Sequence, residues 1–254
     1  MNFSLELKDI SKSFFSYEAS NLVLDQLQLE ITEGEFICLL GASGSGKSTL
    51  LRIIAGLETP DSGGVFLNGE LLKEPDAQRV MVFQDFNQLF PWYTVRKNII
   101  FPLQIQKWGS SNRERREIAD RCLAMVKLEE YGGYYPHQLS GGMKQKAAIA
   151  RALALQPKVL LMDEPFGSLD AQTRRLLQEM LLQVWEETGV TIIFVTHDIQ
   201  EAVILADRIP ILNKSEHSIA EVIVNSLPRP RIPGTPEFTA VWQGVYQLLD
   251  TVES

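Results

Sequence analysis

The run Gly41, Ala42, Ser43, Gly44, Ser45, Gly46, Lys47, Ser48 matches G-x-x-x-x-G-K-[ST], and it stands between an apolar strand pattern at 36–40 and a helical one at 48–55. No other feature narrows the possible folds as far. A strand that turns through glycines into a helix brings bare backbone N–H groups and the positive end of the helix to bear on phosphate. Lys47 is placed to neutralise β- and γ-phosphates, and the Ser48 hydroxyl to bind Mg²⁺, which prefers oxygen ligands. The motif implies a chain that binds ATP with Mg²⁺.

The rest of the sequence fits an α/β core around that loop. Short unbroken apolar runs at 36–40, 80–83, 159–162, 192–195 and 209–212 suit a parallel sheet buried on both faces. Before them, alternation at 3–10 and 22–31, and the run 65–67 leading into Asn68-Gly69, predict a small antiparallel layer with hairpins. Helical periodicity at 113–127 and 143–155, with no strong strand signal from 84 to 157, predicts a helical insertion. The expected layout is one domain over 1–254. Its core comes from 1–83 and 157–226, its helical subdomain from 84–156, and a tail at 227–254 carries a short helix near 238–249.

Composition removes several classes. With 254 residues, 45% of them apolar, the chain suits one substantial core. No apolar run approaches the roughly 20 residues that span a bilayer, and residues 1–6 lack the features of a signal peptide, so a cytoplasmic location is expected. A net charge of −8 argues against nucleic acid as the main partner. The two cysteines, Cys38 in a strand pattern and Cys122 in a helical one, read as core residues.

Three further segments carry chemistry. The strand at 159–162 ends in Asp163-Glu164-Pro165, the arrangement of a Walker-B carboxylate. Asp163 is the expected Mg²⁺ residue and Glu164 the candidate general base for an attacking water. The strand at 192–195 delivers Thr196-His197-Asp198 to the same kind of edge, where His197 is either a γ-phosphate contact or simply structural. Leu139-Ser140-Gly141-Gly142-Met143 opens a helix with Ser140 as its expected N-cap, a second anion-binding helix end or only a turn and cap.

Together these residues resemble the nucleotide-binding subunit of an ATP-binding cassette (ABC) transporter, over about residues 4–249. Walker A, Gln84 of a Q-loop, the 139–143 signature, Walker B, the Ser168-Leu169-Asp170 D-loop and the His197 switch stand in family order. The resemblance implies a P-loop ATPase that works as a head-to-tail dimer, here read as a homodimer. Each ATP would be held by one copy's loop, including Thr49, and by Ser140, Gly141 and Gly142 of the other copy, with Asp170 also among the nucleotide-binding residues. It implies Gln84 as a catalytic and metal-facing group, and Phe14 as the adenine-stacking aromatic, with Phe15 and Tyr17 as alternatives.

The Leu-Ser-Gly-Gly-Met signature departs from the commoner glutamine at Met143. Together with 89–95 and 227–231, it is similar to importer subunits for nitrate, sulfonates, taurine and related small anions or precursors. That likeness implies permease subunits in the inner membrane, served by a solute-binding protein, with this chain peripheral on the cytoplasmic face. Phe86, Leu89, Phe90, Pro91, Trp92 and Tyr93 would then edge the groove for a permease helix, or any one of them would simply pack the helical subdomain. Rival classes are a soluble ABC protein of DNA maintenance, which would carry sustained heptads, a ribosome-acting protein with two cassettes, and a P-loop kinase without signature or D-loop. Only about forty residues follow Leu212, too few for an added regulatory domain. Residues 213–218 fit the family pattern poorly and are expected as a surface loop.

Overall fold

The computed structural model describes residues 4–15 and 20–253, with the side chains of Ser4, Phe86 and Glu253 left aside. Tyr17 lies outside the described residues. The chain forms two compact units, one from Met1–Asp76 and Thr191–Ser254, the other from Ala77–Val190. The first begins with β1 (Ser4–Phe15), β2 (Ser20–Thr32), β3 (Phe36–Gly41), α1 (Lys47–Ile54), β4 (Ser62–Leu67) and β5 (Glu70–Leu72). The second holds β6 (Arg79–Val82), α2 (Val95–Ile105), α3 (Asn112–Met125), α4 (Gly141–Leu153), β7 (Val159–Asp163) and α5 (Ala171–Thr188). The chain returns to the first unit as β8 (Thr191–Val195), α6 (Ile199–Leu205), β9 (Arg208–Asn213), β10 (Ser218–Val224) and α7 (Pro236–Glu253).

In the first unit the predicted antiparallel layer is a sheet of order β2-β1-β4-β5. Leu5 and Leu7 pair with Ile31 and Leu29 on one side and with Leu67 and Val65 on the other, and all six are buried. Period-two burial sets this register, since a one-residue slip would turn the set to solvent. Asn68 and Gly69 have φ of +53° and +81°, as a two-residue type I′ hairpin requires.

Every residue of β3 is buried, and β3 runs parallel to both β8 and β9. The pairing Gly41↔Leu212 brings the end of β9 beside the glycine loop. Strand β10, antiparallel to β9, has no counterpart in the sequence pattern. A bulge between Ile219 and Glu221 breaks its alternation, so the period-two signal is lost. The 213–218 segment is the tight turn between them, held by Asn213 Oδ1, which accepts from Ser215 N at 2.8 Å and Glu216 N at 3.2 Å.

Helix α7 spans 18 residues, longer than the short helix expected at 238–249. It packs on α6 and buries Phe238 and Val245, and this tertiary contact carries it past the segment where local pattern is strong.

In the second unit β6 and β7 are parallel, from Arg79↔Val159 to Val82↔Met162. The helical patterns at 113–127 and 143–155 are α3 and α4. Cys38 and Cys122 are buried and form no disulfide, and burial pushes both thiols up, Cys122 to about 11. Among the described residues no helix is long and apolar enough to cross a membrane.

Candidate active site

The loop after β3 is shaped by what a side chain would strike. A Cβ at Gly41 would lie 2.7 Å from the Leu212 carbonyl and 2.9 Å from Ser45 Oγ. At Gly46, with φ +95°, it would lie 2.9 Å from Leu24 Cδ2 and 3.0 Å from the Val23 carbonyl. Glycine there meets both the left-handed backbone and the closeness of β2. The loop runs at once into α1, the helix that the motif requires.

Within the loop Lys47 is 5% exposed, and its ammonium donates to the carbonyls of Gly41 and Ala42, each at 2.7 Å. Ser45 is 2% exposed, and its hydroxyl has no hydrogen-bond partner among the described residues. Such a hydroxyl costs about 1–3 kcal/mol when left unbonded, so a ligand that accepts from it or donates to it here is favoured. The same holds for the helix start. Thr94, Ser111, Ser140, Asp170 and Asp198 cap α2 to α6 with a side-chain oxygen, whereas Gly46 at α1 offers none. A helix start without a side-chain cap, beside a buried ammonium and the Ser45 hydroxyl, fits the phosphates of a nucleotide.

Other first-unit candidates stand on their own elements. Phe14 is 42% exposed, and Lys12 Nζ lies 5.2 Å from its ring centroid. Lys12 is held there by Glu58 at 2.7 Å and the Thr59 carbonyl at 2.8 Å, and the Glu58 hydrogen bond leads the causes that raise its pKa. Phe15, the alternative, is 80% exposed. His197 is exposed between β8 and α6. Sequence reading missed Lys214, whose ammonium reaches within 3.8 Å of a Cβ position on Gly44. The β3–β9 register places it there, from a turn 170 residues away in the chain.

The second unit holds the remaining candidates. Asp163 ends β7 half-buried, and Glu164 follows with φ of +40°, strained for a residue with a side chain. Gln84 Nε2 and Glu164 Oε2 both come close to the open face of Gly167, at 3.6 and 3.7 Å from the position a Cβ would take. Ser140 Oγ accepts from Met143 N at 3.3 Å, the expected cap. A Cβ on Gly142 would meet Thr173 Cγ2 at 2.6 Å, so α4 and α5 close over this glycine. Asp170 accepts from Thr173 N at 2.9 Å, and the backbone hydrogen bonds it receives hold its carboxyl below the usual range. The sequence did not foresee this capping role.

The aromatic segment divides. Of the two readings open for Leu89 the structure takes packing: it is 3% exposed and belongs to the core, its side chain turning inward after the 3-10 turn before it. Trp92 is 66% exposed, and its ring lies 5.5 Å from that of half-buried Phe90.

Residues 24–167 match the family model described as ABC transporter. The chain is 47% identical over 224 residues to a nitrate import ATP-binding protein of Synechocystis, covering 88% of this chain and 83% of that one. It is 42% identical over 228 residues to a bicarbonate transport ATP-binding protein of the same organism, covering 89% and 80%. Its fold matches the dimeric post-hydrolysis structure of an ATP-binding cassette bound to ADP and Pi, with a TM-score of 0.77 and 36% identity over 88% of this chain and 100% of that one. A glycine loop running into a helix, a strand-end acid pair and a capped glycine helix start occur here in one chain, and with these likenesses they show that it belongs to the ABC transporter family.

Proposed function

We propose that this chain is the ATP-hydrolysing subunit that energises a bacterial importer for a small anion, of which nitrate is the leading example. The observation that carries the ATPase part is the glycine start of α1 with no side-chain cap, beside buried Lys47 and a Ser45 hydroxyl without a partner among the described residues. The importer part is supported by relatives named for nitrate and bicarbonate import, both small planar oxyanions. It keeps to the anion class that the signature, 89–95 and 227–231 pointed to.

In this reading Gly41 to Thr49 hold the triphosphate through backbone N–H groups, with Lys47 matching its charge. The donor chemistry of Ser48, Gln84 and Asp163 is all oxygen when each uses its acceptor atom, the type that Mg²⁺ takes. Mg²⁺ supplies neutralisation of charge developing on the phosphate oxygens. Glu164 takes the proton from the attacking water, and His197 contacts the γ-phosphate. Phe14 stacks on adenine. Ser140, Gly141 and Gly142 of a second copy, with Asp170 at that interface, complete the site, so hydrolysis needs the dimer. Membrane permease subunits receive the closure and a solute-binding protein delivers the anion, with this chain peripheral to the membrane.

The test is Glu164→Gln. ATP binding should persist while turnover falls on the order of a hundredfold. Unchanged hydrolysis sinks the general-base assignment. For the transport part, a tagged chain should bring down integral-membrane subunits, and its loss should abolish uptake of the anion. Normal uptake without the chain rejects it.

A further inference from the structure

We infer that the segment from Asn225 to Arg231 is a clamp that sets where α6, and with it His197, stands, which makes Arg231 a positioning residue for hydrolysis. The inference rests on the reading of His197 as a γ-phosphate contact.

Helix α6 has seven residues, too few to be stable by itself. The last four carbonyls of a helix have no partner within it. Here residues far downstream satisfy the carbonyls of this helix end one by one. Val203 O accepts from Asn225 Nδ2 at 2.8 Å and Arg231 Nη1 at 3.2 Å. Ile204 O accepts from Arg231 Nη1 at 3.3 Å, and Leu205 O from Arg229 Nη2 at 2.6 Å. Ala206 O accepts from Asn225 Nδ2 at 3.1 Å and Arg231 Nη1 at 2.6 Å.

The clamp is itself anchored. Arg231 also donates to the carbonyls of Leu227 and Asn225, at 2.9 and 3.2 Å, and its side chain is 1% exposed. Burial leads the causes that push its pKa down to about 10, so it is charged at neutral pH, at the helix end where a cation is favoured. Arg229 pairs with Asp207 at 2.6 Å, and Asp207 accepts from Phe36 N at 3.0 Å. The clamp is thereby tied to the start of β3, the strand that ends in the phosphate loop.

The other end of α6 is locked to His197. Asp198 Oδ1 accepts from Gln200 N at 2.8 Å and Glu201 N at 3.3 Å. Thr196 Oγ1 donates to Glu201 Oε2 at 2.7 Å and accepts from Asp198 N at 3.0 Å. Both neighbours of His197 are bonded to this short helix, so a shift of α6 moves the histidine. Arg231 serves the helix end through Nη1 alone while Nε and Nη2 hold the Leu227 and Asn225 carbonyls, and the single nitrogen of a lysine cannot keep both sets.

The experiment uses the full chain at protein concentrations where specific activity has levelled off. It measures kcat, KM for ATP, nucleotide affinity and thermal midpoint for Arg231→Lys, Asn225→Ser, His197→Ala and the double variant His197→Ala with Arg231→Lys. The expected result is that Arg231→Lys and Asn225→Ser keep KM and affinity within about twofold while kcat falls about tenfold, and that the double variant is no slower than His197→Ala. Asn225→Ser leaves Arg231 in place and carries the test if Arg231→Lys does not fold. Unchanged kcat per folded molecule in the clamp variants, or losses that multiply in the double variant, overturns the clamp alone. A His197→Ala variant with full kcat overturns the reading of His197, and the clamp's link to it falls too.

Discussion

Two glycine-rich helix starts, at α1 and α4, solve the same problem in different ways. At α1 the cap position is Gly46, in the left-handed region with no side chain to spend. At α4 it is Ser140, whose hydroxyl already accepts from Met143 N. Glycine at a cap position costs only a few tenths of a kcal/mol against a serine cap, so α1 gives up its side-chain cap cheaply and keeps its first backbone N–H groups clear of a side-chain oxygen. The α4 start gives up one donor to its own serine and stands stably without nucleotide. In the proposed reading the first end holds phosphate within its own copy, and the second makes its contact only when a partner closes.

The strongest way to break this contrast is Lys47→Ala. Removing the buried ammonium takes charge-assisted bonds of about 1.5–3 kcal/mol from the triphosphate, so nucleotide affinity should fall about a hundredfold. Titration with a fluorescent ATP analogue checks it. Parent-like affinity would mean that the open end of α1 is not the phosphate site.

Next comes Gly142→Ala, whose methyl would press on Thr173 Cγ2 and should cost about 1–3 kcal/mol in chemical unfolding. Adding Thr173→Ser, which removes the methyl it meets, should recover most of the loss. A smaller effect separates the two uses of Ser140. Ser140→Ala should cost about 1 kcal/mol of stability and also slow turnover. Ser140→Asp should restore the cap and the stability but not the turnover, because it sets a negative charge against phosphate. Recovery of both would assign Ser140 to capping alone.

The smallest expected effect is at Asp170. Its folded-state pKa is depressed, so its contribution to stability is present above the unfolded pKa and is lost as pH falls through the folded one. Asp170→Asn should flatten the acid limb of a plot of thermal midpoint against pH slightly, since the group is exposed and screened. An unchanged acid limb would show that the cap does not depend on its charge.

Much of this site was legible because its signals are local. The phosphate loop sits between a strand and a helix that its own neighbours predict, Asn68-Gly69 names its turn type, and Ser140 precedes the helix it caps. What escaped notice was long-range or irregular. The bulge in β10 erased its alternation, the choice between edge and core for Leu89 was open until its neighbours in space were known, and α7 ran on because α6 was there to receive it.

From the sequence alone came the class of chemistry: which residues could hold phosphate, which acids follow an apolar strand, and the family order of the motifs. Residue type and short spacing decide those, through backbone freedom and side-chain charge within a few positions. The tertiary structure alone decided that Lys214 stands beside Gly44, that the Ser45 hydroxyl has no partner among the described residues, and that Asn225, Arg229 and Arg231 close the end of α6. Those contacts join segments about 20 to 170 residues apart, and only the pairing of strands and the packing of helices brings such distant groups within bonding distance.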